Sequence, residues 1–142
     1  MSFLVDTNVI SELRKGARCD PSVASWFDAL SPDEIFLSVL SIGELRRGIE
    51  LIRRRDPEAA GALEEWLEGL VRDHGERILL VDREVASEWG RLNVPDPLPV
   101  IDALLAATAK VHGMTLATRN TRDVERTGVK CVNPFEKRRQ AK

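Results

Sequence analysis

The chain has 142 residues, 43% of them hydrophobic and 31% charged, with a formal net charge of −2. This balance suits one compact domain with a real core and excludes a uniformly basic, nucleic-acid-coating surface, while the 21 Lys+Arg leave room for a local basic patch. No apolar run approaches membrane-spanning length and no basic-then-apolar leader opens the chain, so a cytoplasmic protein without membrane contact is expected.

Phe3–Val5 reads as a short buried strand. Thr7 or Asn8 then caps a helix carrying Val9, Ile10 and Leu13 and ending near Gly16. Pro21 suits the first position of a second helix, with Val23, Trp26, Phe27 and Leu30 on one face. "SPDE" is a turn and "IFLSVL" a second buried strand. Ser41 caps a helix from Ile42 to about Arg54, with Glu44 at the capping-box position. Asp56 and Pro57 restart a helix through "EAAGALEEWLEGLV", and the pair forms an antiparallel hairpin. "RILLV" is a third strand, "REVASEWGRL" a helix and "NVPDPLP" a Pro-rich loop. "VIDALLAATAKVHG" is an Ala-rich buried helix closed by Gly113. "MTLAT" is a fourth strand, "RNTRD" a turn, "KCVNP" a short edge strand and "EKRRQAK" a charged tail, giving a domain over 1–135 and a tail over 136–142. Trp26, Trp66 and Trp89 sit at helical spacing among apolar neighbours and are core or interface residues. His74 and His112 end helices without a partner. Cys19 and Cys131 lack metal-ligand spacing and read as two thiols.

Strands alternating with helices predict an α/β fold with a central, mostly parallel sheet of four to five strands and helices on both faces. Most acids lie on polar helix faces and need no further role. Asp6, Asp102 and Glu44 instead lie in apolar surroundings near element ends, and Asn120 and Asp123 sit in the turn after strand four. A parallel sheet brings all of these to the carboxyl ends of its strands, where open α/β sheets bind ligands. Each has an ordinary alternative: Asp6 as a helix cap, Glu44 in a capping box, Asp102 as a first-turn acid, Asp123 as a turn residue. The functional case rests on the set. Clustered carboxylates repel one another, and a hard divalent cation, Mg²⁺ or Mn²⁺, resolves that repulsion with oxygen ligands. A pair of such ions about 3.5–4 Å apart is a common device for phosphodiester hydrolysis.

In "LVDTNVISEL", "LSIGELRRGIELI", "IDALLAATAKVHGMTLATRN" and "VNPF", in this order, the chain resembles the PIN-domain nucleases and, within them, the VapC-type and FitB-type toxins of bacterial toxin–antitoxin systems. The resemblance implies a three-layer α/β/α fold and a metal-dependent endoribonuclease. It maps the metal-binding acids onto Asp6, Glu44 and Asp102, the residue that orients the first acid onto Asn8, and the Ser/Thr near the metal onto Thr118. The fourth acid falls on Asp123, with Asn120 standing where some members carry it instead. The resemblance also implies a small cognate antitoxin that blocks the acidic pocket, a homodimer, and promoter DNA bound only through the antitoxin.

Arg46 and Arg47 beside Glu44, and Arg119 and Arg122 beside Asn120, are candidate contacts to RNA phosphates, with ordinary solvated charge as the alternative. Two functions from different classes follow. One is a Mg²⁺-dependent endoribonuclease toxin. The other is a non-catalytic antitoxin-binding module that assists promoter binding.

Overall fold

The computed structural model describes residues 1–136. The charged tail expected over 136–142 lies, apart from Glu136, outside the described residues. Five strands form the sheet: β1 (Phe3–Val5), β2 (Ile35–Ser38), β3 (Ile78–Leu79), β4 (Thr115–Ala117) and β5 (Cys131–Val132). They are ordered β3-β2-β1-β4-β5, and every pairing is parallel. The helices are α1 (Thr7–Leu13), α2 (Pro21–Asp28), α3 (Val39–Arg53), α4 (Pro57–His74), α5 (Arg83–Leu92), α6 (Val100–His112) and α7 (Thr121–Val124).

The period-2 alternation of β1 divides the core. Phe3 and Val5 face one side with Val9, Ile10, Val23, Trp26, Ile35 and Leu37, and Leu4 faces the other with Leu105, Ala106, Ala109 and Leu116. Both faces of β1 are buried, which is why it reads as a continuous apolar run. The small side chains Ala106 and Ala109 of α6 pack with Leu4 and Leu116 of the sheet. Gly113 then ends α6 at φ +65°, a left-handed conformation that favours glycine. The expected α3–α4 hairpin is present and has its own small core of Ile49, Ala60 and Leu67.

Three expectations need correction. The helix after β2 starts a turn earlier than read: Ser38, not Ser41, caps it, accepting the Leu40 N–H at 3.0 Å. Ser41 is buried inside α3, and Glu44 belongs to no capping box. The third strand ends at Leu79, because Leu80 and Val81 leave the sheet edge for solvent. The turn after β4 is instead a single helical turn, α7, continued by a 3₁₀ turn at Glu125–Thr127.

The strand order creates a switch point. From β1 the chain builds outward through β2 and β3, then crosses back to lay β4 on the other side of β1. The crevice at the carboxyl ends of β1 and β4 is where such sheets accept ligands.

Candidate metal centre

The β1–β4 register pairs Val5 with Ala117, so Asp6 and Thr118 emerge side by side at the switch point. The Asp6 N–H extends the ladder, donating to the Ala117 carbonyl at 2.9 Å. Asp6 itself is the N-cap of α1, replacing the expected Thr7 or Asn8. Its Oδ1 accepts the Thr7 N–H at 2.7 Å. Its Oδ2 accepts the Thr118 hydroxyl at 2.7 Å and the Asn8 amide at 3.4 Å. Capping and site placement are therefore both true of Asp6. The residue is only 6% exposed. Burial pushes its carboxyl above the usual carboxylate range; the Thr118 hydroxyl and the Thr7 amide pull it back, and the Glu44 charge pushes it up again.

Asp6, Thr7, Asn8, Glu44, Pro99, Val100, Ile101, Asp102 and Asn120 line one cleft of about 500 Å³. Three of the four acids expected at the site thus meet there. Asp102, in the first turn of α6, is also held above the usual carboxylate range, by burial first and then by repulsion from Asp6, Asp123 and Glu44. Asp123 is exposed on α7, its N–H bonded to the Asn120 carbonyl at 3.1 Å, near enough to repel Asp102 but outside the cleft lining. Asn120 lines the cleft and gives its N–H to the Thr118 hydroxyl at 3.0 Å.

Thr7 was expected only as a helix cap, not as a residue of the site. Its hydroxyl donates to Glu44 Oε1 at 2.6 Å, joining the start of α1 to the second turn of α3. The adjacency of Thr7 to Asp6 was a visible signal, but a partner 37 positions away was not.

The arginines divide. Arg46 is turned to α4, contacting Glu64 at 2.7 Å and Glu50 at 3.4 Å, in a network completed by Arg53. It is thus committed to the helix hairpin. Arg47, one turn beyond Glu44 on α3, is exposed and has no ion pair among the described residues. Arg119 stacks on Phe135 at 4.5 Å, and its N–H donates to Asn8 Oδ1 at 3.3 Å. Arg122 is exposed on α7.

No described Lys, Arg or His forms an ion pair with Asp6, Glu44, Asp102 or Asp123. Nor, among the described residues, are any three His, Cys, Asp or Glu side chains placed to hold one metal ion together. An open, oxygen-only donor set with uncompensated charge nonetheless fits Mg²⁺ or Mn²⁺. Such ions keep several waters and take only one or two carboxylates plus substrate phosphate.

A five-stranded parallel sheet with helices on both faces and an acidic cleft at its switch point places the chain among the three-layer α/β/α domains. The PIN domain family model matches residues 3–130. The VapC ribonuclease Y4jK of Sinorhizobium fredii is 33% identical, over 94% of this chain and 98% of that protein. Toxin FitB of Neisseria gonorrhoeae is 32% identical, with the same coverage of 94% and 98%. A solved structure of FitAB bound to a DNA fragment superposes with a TM-score of 0.87 at 30% identity, covering 98% of this chain and 99% of that one. The chain belongs to the PIN-domain family, in its VapC/FitB branch.

Proposed function

We propose that this protein is a Mg²⁺- or Mn²⁺-dependent endoribonuclease and the toxin of a toxin–antitoxin pair. The observation that carries the reading is the Asp6 carboxylate, buried at the switch point and facing Glu44 and Asp102 across a cleft with no balancing cation. Maintaining three like charges together opposes folding unless a ligand repays it. The names ribonuclease and toxin borne by relatives at 33% and 32% identity support the same reading.

Asp6, Glu44 and Asp102 would hold the ion, directly or through its waters, with Asp123 beside Asp102 as a fourth acid and Asn120 as its neutral neighbour. Such an ion would supply Lewis acidity to a water and to the phosphodiester oxygens, and hydrolysis would leave a 5′-phosphate and a 3′-hydroxyl. Thr118 and Asn8 fix the orientation of Asp6 through its Oδ2. Arg47, flanking Glu44, and Arg119 and Arg122, flanking Asn120, attract the RNA backbone toward an otherwise repulsive acidic cleft. The partner is a small antitoxin that covers the cleft, and DNA contact comes through that antitoxin; the likeness to FitAB solved with a DNA fragment supports a complex that binds DNA. The likeness to VapC- and FitB-type toxins implies that the toxin itself would be a homodimer. No helix among the described residues is long and apolar enough to cross a membrane.

The test is incubation of total transfer RNA with antitoxin-free protein and Mg²⁺ or Mn²⁺, beside EDTA and Asp6→Asn controls. Discrete fragments absent from both controls are expected. Intact RNA across transfer, ribosomal and messenger pools, from folded protein, would overturn the enzyme and favour the antitoxin-binding module.

A further inference from the structure

Thr7 occupies an unusual place in this site. It is the first residue of α1 and touches both neighbouring acids with different atoms. Its N–H donates to Asp6 Oδ1 at 2.7 Å, and its hydroxyl donates to Glu44 Oε1 at 2.6 Å. The two acids sit on different elements and differ in freedom. Asp6 is buried, and its Oδ2 is held by Thr118 and Asn8. Glu44 is exposed, has three side-chain torsions, and among the described residues accepts a hydrogen bond only from Thr7. Repulsion from Asp6 and Asp102 drives such a carboxylate toward solvent. A neutral hydroxyl donor counters that drift without neutralising the charge a cation would need.

We infer that Thr7 is a positioning residue that ties Glu44 to Asp6 and so presets the spacing of the two carboxylates for a divalent cation. The inference rests on the proposed metal site and extends it to a residue outside the acidic set. The backbone half of the clamp survives any substitution at position 7 other than proline, because every other residue keeps the N–H. Only the Glu44 half depends on the side chain. Thr7→Val keeps the branched shape and removes the hydroxyl, and Thr7→Ser keeps the hydroxyl and removes a methyl group.

The experiment measures Mn²⁺ binding by calorimetry, together with RNA cleavage, in wild type, Thr7→Val, Thr7→Ser, Glu44→Gln and the Thr7→Val/Glu44→Gln double variant. Loss of an orienting hydrogen bond to a metal ligand weakens affinity by about 10–100-fold. Thr7→Val is expected to bind Mn²⁺ that much more weakly, with kcat for RNA lowered and KM little changed, and Thr7→Ser is expected to restore both. In the Glu44→Gln background, Thr7→Val should add little, because Thr7 acts through Glu44. Wild-type Mn²⁺ affinity in Thr7→Val overturns the inference, as does equal loss in Thr7→Ser, which would mark a merely structural role read by melting temperature. Asp102→Asn separates the two levels. If it abolishes binding and cleavage while Thr7→Val does neither, only the role of Thr7 falls. If Asp102→Asn also changes nothing, the metal site falls, and the role of Thr7 with it.

Discussion

Thr118→Val tests whether the site is built around an ionised Asp6. Valine nearly reproduces the shape of threonine and suits the end of β4, and the backbone bond from the position-118 N–H to the Val132 carbonyl, 3.0 Å long, is untouched. What disappears is the 2.7 Å hydroxyl bond to Asp6 Oδ2, at a residue pair exposed by only 1% and 6%. Asn120 also loses the acceptor of its N–H, but it is exposed and water replaces the hydroxyl. A hydrogen bond to a charged group contributes about 1.5–3 kcal/mol, against about 0.5–1.5 kcal/mol for a neutral one. At about 2–4 °C per kcal/mol for a chain of this size, the melting temperature at neutral pH in EDTA falls by roughly 3–12 °C. The sign with pH follows from Asp6. The lost bond favoured the ionised carboxylate, so the gap between wild type and variant is widest where Asp6 is ionised in the wild type. It narrows as pH falls through the raised Asp6 range, where only a neutral bond is lost. Urea unfolding in EDTA at a series of pH values reads this directly. No loss of stability, or a gap of constant size at every pH, would refute an ionised Asp6 held by Thr118.

Two further predictions concern charge. Asp102 is held above the usual carboxylate range, so the folded state binds its proton more tightly than the unfolded chain does. Stability of the metal-free protein therefore falls as pH rises from the ordinary carboxylate range through the raised one, and the penalty persists above it. Asp102→Asn should be the more stable protein at pH 7 in EDTA, with the advantage closing below about pH 4; an advantage that does not change with pH would show that the repulsion is absent. The acids held low by hydrogen bonds, Glu12, Asp33, Glu50 and Glu64, work in the opposite sense but cancel in the difference between the two proteins. Arg47→Ala should lower the slope of log affinity for single-stranded RNA against log salt by about 0.7, the value of one phosphate contact. Arg46→Gln should leave that slope alone, because its guanidinium is engaged by Glu64 and Glu50; a salt slope changed by Arg46→Gln and not by Arg47→Ala would reverse the assignment.

Much of the fold was legible because local chemistry and tertiary structure agree. Pro57 after Asp56 starts α4, with the Asp56 carboxylate accepting the Ala59 N–H at 3.1 Å. Gly113 stops α6, and the apolar run of β1 is buried on both faces as read. Where two caps compete, the sequence is ambiguous by a turn. Ser38 and Ser41 both precede apolar helical spacing, and the choice depends on where β2 leaves the sheet. That point is set by its pairing with β3, Leu37 with Ile78 and Ser38 with Leu79.

By itself, then, the sequence determined the strand–helix alternation, the parallel sheet, and the arrival of Asp6 and Asp102 at its carboxyl edge. These follow from periodicity and from the fixed geometry of parallel crossovers, both of which are local or topological. Tertiary structure alone decided which side chains touch. It placed Asp6 beside Thr118 through the β1–β4 register, drew Thr7 to Glu44, turned Arg46 away to Glu64, and left Asp123 at the rim. A contact between residues far apart in the chain depends on how helices rotate and strands slide when cores pack. Those few degrees and ångströms have no signature in spacing along one chain.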